Sequence, residues 1–291
     1  MPGRASRGGK IYATNSFALS RLGGLHAAGL VADGLRAWHP ESMSPVERYS
    51  AYDRFAWFYN QGWSADYHNE ARAALDKLIF SRLPVASRVL DLCCGTGDMT
   101  RTLVAHGCQV TGLDGSEQML RFARENAPAA QFILADARDF DLPPVFDAVV
   151  STFDSLNHIL ALPELETVFR NVHRALAQGG LFVFDMNMEE AFKANWHGTP
   201  AGVEDTSVWI IRLGYDPDEK VGRADITTFR LIKRWQRSDI TVLEKCYSAE
   251  EILSGLAGAG FCDIASYHDG NLEMQGRVGV GRTFFSARKP G

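Results

Sequence analysis

The chain has 291 residues, 46% of them apolar and 22% charged, the proportions of an ordinary globular protein long enough to bury a core without disulfides or metals. Thirty Lys and Arg against 35 Asp and Glu leave a net charge of −5, which argues against a dedicated nucleic-acid binder. No run approaches the roughly 18 apolar residues of a membrane span, so neither nucleic acid nor membrane is an expected partner. The five cysteines, Cys93, Cys94, Cys108, Cys246 and Cys262, are odd in number and form no C-x-x-C. They fit neither a disulfide framework nor a zinc site, read as small buried thiols, and point to a cytoplasmic protein without a metal.

Residues 1–42 differ from the rest. Up to Val31 they carry Arg4, Arg7, Lys10 and Arg21 and no acid, followed by a Gly/Ala/Leu stretch. Such a segment reads as a poorly ordered extension, a targeting segment, or translated sequence upstream of initiation at Met43. The expected domain is 43–291, with 1–42 dispensable for its fold.

From about Ser44 strand and helix signals alternate. Arg88 to Leu92 is a short apolar run that ends in glycines, and Asp98 to Ala105 places Met99, Leu103 and Val104 on one helical face. Gln109 to Leu113 is a second strand; Ser116 can cap the next helix, with Glu117 in its positive first turn. Gln131 to Leu134 and Phe146 to Ser151 are the third and fourth strands. Pro163 opens a helix that Gly179-Gly180 ends, and Leu181 to Phe184 is the fifth strand. Five βα units in sequence predict a parallel sheet with helices on both faces.

The rhythm then changes. Thr206 to Leu213, Arg223 to Ile232 and Asp239 to Cys246 read as three strands without intervening helices, with Asp216-Pro217-Asp218 a turn between the first two. They predict an antiparallel insertion at about 195–247, either a substrate cap or a simple extension of the main sheet. Ser248 to Glu251 is a capping box opening a further helix that Gly260 stops. Phe261 to Tyr267 and Arg282 to Ala287 are the last two strands.

The most informative stretch is Asp91-Leu-Cys-Cys-Gly95-Thr-Gly97, at a strand end and before a helix. Glycines there let the backbone approach a ligand, and the helix offers free N–H groups. Asp114 ends the second strand, where a carboxylate can accept both hydroxyls of a ribose, and Asp136 ends the third, where it can accept from an adenine amino group. Acids at three successive strand ends line one carboxyl-edge crevice, where open α/β sheets bind ligands.

VLDLCCGTGDMT, VTGLDGSEQML, FILADARDF, FDAVVSTFDSLNHI and HRALAQGGLFVFDMN resemble, in order and spacing, the successive motifs of class I S-adenosylmethionine (SAM)-dependent methyltransferases. The resemblance covers about residues 50–290, with YSAEEILSGLAGAGF similar to the helix before the family's last two strands. It implies a doubly wound, seven-stranded Rossmann-like α/β sheet carrying the small antiparallel insertion. It implies SAM as cofactor, with Gly95 and Gly97 approaching its methionine part, Asp91 ordering that loop, Asp114 on the ribose, and Asp136 with Ala137 on the adenine. Gly115 and Met119 belong to the same implied cofactor set. Cys93-Cys94 departs from the alanine or glycine that often precedes the glycines. A NAD-dependent oxidoreductase is the alternative class, against which Thr100 stands where a third glycine would be. A non-catalytic SAM-binding protein is a second alternative.

Methyl transfer is an in-line displacement that needs a desolvated pocket, an aligned nucleophile and a place for the acceptor's proton. Two segments can supply these. Tyr52, Phe55, Trp57, Phe58, Tyr59, Trp63 and Tyr67 form a dense aromatic run, suited either to a lid over a cation or to core packing. Within it NQGWSADYHNEA is similar to the corresponding stretch of the amino-sugar N-methyltransferases of macrolide pathways, where the tyrosine matching Tyr67 lies against SAM. In those enzymes a histidine also occupies the place of His158, just past the fourth strand, where a neutral imidazole can take a proton from an amine or hydroxyl. Asp154 and Asn157 can orient it. The expected partner is a small-molecule methyl acceptor. In similar enzymes the insertion strands also help form dimers, which makes a homodimer an expectation.

Overall fold

The computed structural model describes residues 52–63, 67, 71–268 and 279–291. The reading of 1–42 lies outside the described residues. Strands β1 (Arg88–Leu92), β2 (Gln109–Asp114), β3 (Gln131–Leu134), β4 (Phe146–Ser151) and β5 (Leu176–Asn187) are joined by helices α3 (Asp98–Ala105), α4 (Glu117–Asn126) and α5 (Leu162–Ala175). Ahead of them lie two short helices, α1 (Ala56–Tyr59) and α2 (Arg72–Leu78). After β5 come α6 (Glu189–Asn195), strands β6 (Ala201–Glu204), β7 (Ser207–Asp216), β8 (Val221–Leu231) and β9 (Trp235–Lys245), then α7 (Ala249–Gly258), β10 (Cys262–His268) and β11 (Arg282–Arg288).

The main sheet has seven strands in the order β10-β11-β5-β4-β1-β2-β3. β1 to β5 run parallel, and β11 is antiparallel to both β5 and β10. Because successive strand residues point to opposite faces, the strands feed two cores. Leu90, Leu92, Val149, Phe182, Phe184 and Phe285 pack with α5 and α7 on one face, through Leu165, Phe169, Ile252 and Leu256. Val89, Ala148, Val150, Leu181, Val183 and Phe284 pack on the other with α2 and α3, through Leu75, Leu78, Met99 and Leu103. Burial on both faces is what lets these strands read as continuous apolar runs. The strand order reverses between β1 and β4, so their carboxyl ends open a crevice at the switch point.

Local signals in the sequence carry through. Ser116 caps α4 by accepting from Met119 N at 3.2 Å. Ser248 and Glu251 form the reciprocal capping box of α7. The Asp216 side chain accepts from Asp218 N and Glu219 N at 2.9 and 3.1 Å, closing the turn between β7 and β8.

Four readings need correction. No helix lies between β3 and β4, whose link is irregular, so the count of five complete βα units is one too many. Gly179-Gly180 does not end α5, which stops at Ala175; the pair lies inside β5, where Gly179 accepts a φ of +73°. The insertion has a fourth strand, β6, and forms a sheet of its own in the order β6-β7-β8-β9 instead of extending the main one. Cys262 is exposed and Cys93 half-buried, so only Cys94, Cys108 and Cys246 are buried thiols.

The second sheet covers the aromatic run. Ile211, Ala224, Ile226, Ile240 and Val242 on its inner face pack against Phe55 and Phe58, with Trp57, Tyr59, Trp63 and Trp209 at the border. Phe55 and Phe58 are therefore core, while Trp57, Tyr59 and Trp63 stay half-buried at its border. The opposite face is a charged ladder in which Asp225 accepts from Arg223 and Thr241, and Asp239 from Arg237 and Thr227. No helix among the described residues is long and apolar enough to cross a membrane.

Gly112, in the middle of β2, allows the loop after β1 to lie close. A Cβ there would come within 2.7 Å of the Phe132 ring and 2.9 Å of Cys94 Sγ. Gly112→Ala should therefore destabilise the fold by about 1–3 kcal/mol through overpacking, read from the urea midpoint at constant m-value.

Candidate active site

The loop from Cys93 to Gly97 is shaped by backbone conformations that place it over the strand ends. Gly95 and Gly97 have φ of +53° and +83°, and a Cβ on Gly97 would meet Ala123 of α4 at 3.1 Å. Gly97 is thus the contact that lets α3 and α4 approach. At Gly95 the atoms nearest an added Cβ are those of the Tyr59 ring, at 3.6 Å, so this turn of the loop lies beneath a tyrosine.

Asp91 is buried beneath that loop and accepts from Thr100 Oγ1 at 2.5 Å. Thr100, the residue where a dinucleotide fingerprint would have its third glycine, is itself fully buried as the partner of the acid. Burial pushes the Asp91 carboxyl up to about 7, with Thr100 pulling the other way. The Asp114 carboxylate accepts from Gly95 N and Ser116 N, both at 2.9 Å, tying the loop after β1 to the start of α4. Burial raises its pKa while these amides lower it. Asp53 completes the corner by accepting from Ser116 Oγ at 2.6 Å and Gln118 N at 3.1 Å.

Asp91, Gly95, Gly97, Asp114 and Gly115 come together as the sequence predicted. Three other predicted residues have competing duties. The Asp136 carboxylate is bridged by Arg138, at 2.7 Å, which also reaches Glu164 at 3.0 Å. Met119 is buried against Ala56 and Phe122. Ala137 is buried, and its carbonyl accepts from Asn171 Nδ2 at 3.2 Å. Tyr67 is likewise buried: its ring stacks on Phe153 at 4.7 Å and its hydroxyl donates to Asp185 Oδ1 at 2.8 Å.

Asp185 belongs to a polar cluster that the sequence analysis missed. It sits fully buried near the end of β5 and accepts from Phe153 N at 2.7 Å. Arg282, at the start of β11, forms ion pairs with Asp185 and, at 2.9 Å, with Asp154. Asn187 Nδ2 donates to Asp154 Oδ2 at 3.0 Å and to Glu244 Oε2 at 3.3 Å. Asn157 exchanges bonds with the Asn187 backbone and donates to the Lys245 carbonyl at 2.9 Å. An acid inside the apolar run FVFDMN was the one available signal; the other members come from distant parts of the chain.

His158 ends a single 3₁₀ turn, Ser155–His158, just past β4. Its Nδ1 lies 3.0 Å from the Leu243 carbonyl, and its Nε2 3.0 Å from the Tyr52 hydroxyl. A carbonyl only accepts, so the network places the proton on Nδ1 and makes Nε2 the acceptor of the Tyr52 hydroxyl. Burial pushes the imidazole below its ordinary range and raises the tyrosine well above its own, so both are neutral near pH 7. This gives a neutral base of fixed tautomer beside a phenolic proton donor.

A family model described as a methyltransferase domain matches residues 89–180. The YqeM protein of Bacillus subtilis is 29% identical over 222 residues, which cover 73% of this chain and 88% of that protein. The dTDP-3-amino-3,4,6-trideoxy-alpha-D-glucopyranose N,N-dimethyltransferase of Streptomyces venezuelae is 35% identical over 155 residues, 53% of this chain and 63% of that enzyme's length. Among solved structures, SAM-bound CalS10, an amino pentose methyltransferase from Micromonospora echinaspora, is 26% identical with a TM-score of 0.63, covering 81% of this chain and 96% of that one.

An acid held above its ordinary value favours folding only while protonated. Its stabilising share is complete below about pH 4 and is lost as the pH rises to about 7. Asp91→Asn, which keeps an acceptor for Thr100, should therefore match the wild-type melting temperature near pH 4 and exceed it increasingly up to pH 8 in thermal scans without ligand.

Proposed function

The chain belongs to the class I SAM-dependent methyltransferases, and we propose that it methylates an amine or hydroxyl of a small molecule, an amino sugar being the acceptor class its relatives favour. The observation that carries this reading is the neutral, tautomer-fixed His158 with Tyr52, held past β4 at the ligand edge of the sheet.

The residues present suit SAM. The left-handed turn at Gly95 lies next to Thr96, whose buried Oγ1 has no hydrogen-bond partner. In this reading Gly95 and Gly97 admit the methionine part, with Asp91 and Thr100 bracing the loop. Asp114 accepts the ribose hydroxyls, Gly115 and Met119 flank the adenosine, and Ala137 with Asp136 borders the adenine. Asp136 does so while holding Arg138, so the Arg138–Glu164 pair shapes that wall. When bound, SAM supplies an electrophilic methyl group on a sulfonium. Tyr67, tied to Asp185, closes the floor behind Phe153.

The acceptor side falls to His158 and Tyr52. Nε2 of His158 takes a proton either from the acceptor directly, once Tyr52 turns aside, or through the Tyr52 hydroxyl, which gives up its own proton as it gains another. The insertion at about 195–247 acts as the substrate cap, because β9 brings the Leu243 carbonyl and Glu244 to His158. The cap and the aromatic run together exclude water. Residues 43–291 form the methyltransferase domain in this proposal.

The test is transfer of radiolabel from methyl-labelled SAM to a panel of amino sugars and their hydroxyl counterparts, with wild type and His158→Ala. The variant should lose about 10²–10⁴-fold in turnover while SAM affinity by calorimetry stays within a few-fold. The wild-type rate should fall on an acid limb below the ordinary histidine range, since only the neutral imidazole accepts. Full turnover in the variant across pH would remove His158 from the mechanism.

A further inference from the structure

The segment that carries Tyr52 is fastened to helix α4 at both ends of that helix. At its start, Asp53 Oδ1 accepts from Ser116 Oγ at 2.6 Å and from Gln118 N at 3.1 Å. Further along, Ala56 packs with Met119 and Phe122, with Trp57 beside them. At its end, Asn126 Nδ2 donates to Asn60 Oδ1 at 2.7 Å and to the Thr96 carbonyl at 2.8 Å. The middle contact is ordinary apolar packing. Asp53 is different, because α4 already has its own cap in Ser116. Asp53 comes from 63 positions away to take the cap's hydroxyl proton and a first-turn amide.

What Asp53 gains by this is the placement of its neighbour. Adjacent Cα atoms are about 3.8 Å apart across a trans peptide, so anchoring Asp53 on α4 sets where the Tyr52 side chain begins. The Tyr52 hydroxyl then lies 3.0 Å from His158 Nε2, with the two rings edge to face at 5.6 Å. On the other side, Ser116 gives its backbone amide to Asp114 Oδ1 at 2.9 Å. Asp114, Ser116, Asp53, Tyr52 and His158 therefore form one chain. Its links are hydrogen bonds of 2.9, 2.6 and 3.0 Å and a single peptide bond. The chain starts at the acid assigned to the ribose and ends at the imidazole assigned to the acceptor. A network of this kind couples two sites only if a shared element moves with both, and residues 52 and 53 are that element.

Resting on the methyltransferase reading of the same site, we propose that Asp53 is a positioning residue: anchored on Ser116 and Gln118, it holds the Tyr52 hydroxyl on His158 and so ties the state of the acceptor side to the cofactor corner. Asp53 touches neither half-site directly and acts through Tyr52. The Tyr52 hydroxyl donates to the neutral imidazole, and a bond to the neutral form disfavours protonation. His158 also faces the Leu243 carbonyl and Glu244 of β9, the latter 4.0 Å from Nε2, and Asp154 of its own loop, behind which lies Arg282 of β11. None of these groups changes when Asp53 is replaced. Releasing Tyr52 therefore raises the imidazole pKa. Loss of a negative charge at position 53 acts in the opposite sense, because a nearby anion favours the imidazolium. The sign of the change thus separates positioning from simple Coulomb effects.

The experiment is an NMR titration of the His158 ring, assigned by its loss in His158→Gln, in protein without cofactor. Asp53→Ala and Tyr52→Phe should each raise the His158 pKa by about half a unit to one unit, the worth of one hydrogen bond. The double variant should match Tyr52→Phe alone, because both changes remove the same contact. Asp53→Asn keeps an oxygen for Ser116 and Gln118 and should titrate as the wild type does. A lower melting temperature in Asp53→Ala with an unmoved titration would reduce Asp53 to a helix cap and overturn the proposal. A rise in the double variant equal to the sum of the two, or an Asp53→Asn shift as large as that of Asp53→Ala, would overturn it as well. If Asp53→Ala does not fold, Ser116→Gly takes its place: glycine is tolerated at an N-cap, and the shorter of the two Asp53 bonds is lost. The same rise is expected there, and its absence counts against the proposal equally. Failure of the methyltransferase reading is read separately, as absence of SAM and S-adenosylhomocysteine binding to the wild type in calorimetry.

Discussion

One buried guanidinium organises the ligand edge of this protein. Arg282 enters from β11 and neutralises Asp185 of β5 and Asp154 of the loop after β4, and its charge lies 5.0 Å above the Tyr67 ring. The contact ties together the antiparallel end of the main sheet, the loop that carries His158, and the N-terminal aromatic segment. A buried ion pair of this kind adds little net stability over an apolar replacement, but removing one partner strands the other and costs about 3–5 kcal/mol. Its value is geometric. Asp185 also accepts from the Phe153 and Asp154 amides, which fixes the loop turning out of β4. Both of those residues have positive φ, a conformation that side chains other than glycine adopt only under constraint.

From that fixed loop the rest of the site follows. His158 is held in one tautomer by a carbonyl of β9, so the small sheet borders the proposed active site and also covers the aromatic core. The two sheets make complementary contributions: the parallel one positions the glycine loop and Asp114 through its strand ends, and the antiparallel one brings Leu243 and Glu244 to His158. In the proposed function, changing the small sheet while keeping the large one alters acceptor choice and leaves the crevice at the strand ends in place.

The parts of this arrangement legible in the sequence are those encoded over short spans. The G-T-G turn, the acids ending β1, β2 and β3, the serine caps and the Asx turn each depend on residues within a few positions of one another. Position after the fourth strand was enough to place His158 at the carboxyl edge of the sheet. The polar cluster was not legible because its members lie at 154, 185, 187, 244 and 282 and meet only after the sheets assemble. Periodicity misjudged Gly179-Gly180 because a glycine pair signals a helix stop and is also tolerated at the solvent-exposed start of a strand. It overlooked β6 because four residues with an exposed valine give almost no alternation. Asp136 and Met119 belong to the cofactor set that the family resemblance implies, but sequence alone could not show that Arg138 would bridge the one and Ala56 and Phe122 cover the other.

The most direct measurement is a double-mutant cycle on Arg282 and Asp185, read by urea unfolding. Arg282→Met should cost about 3–5 kcal/mol by leaving buried carboxylates without their counter-charge. Arg282→Met combined with Asp185→Asn should recover part of that loss, giving a coupling energy of about 1–3 kcal/mol. Additive effects, or an Arg282→Met protein as stable as the wild type, would contradict the claim that this ion pair holds the ligand edge together.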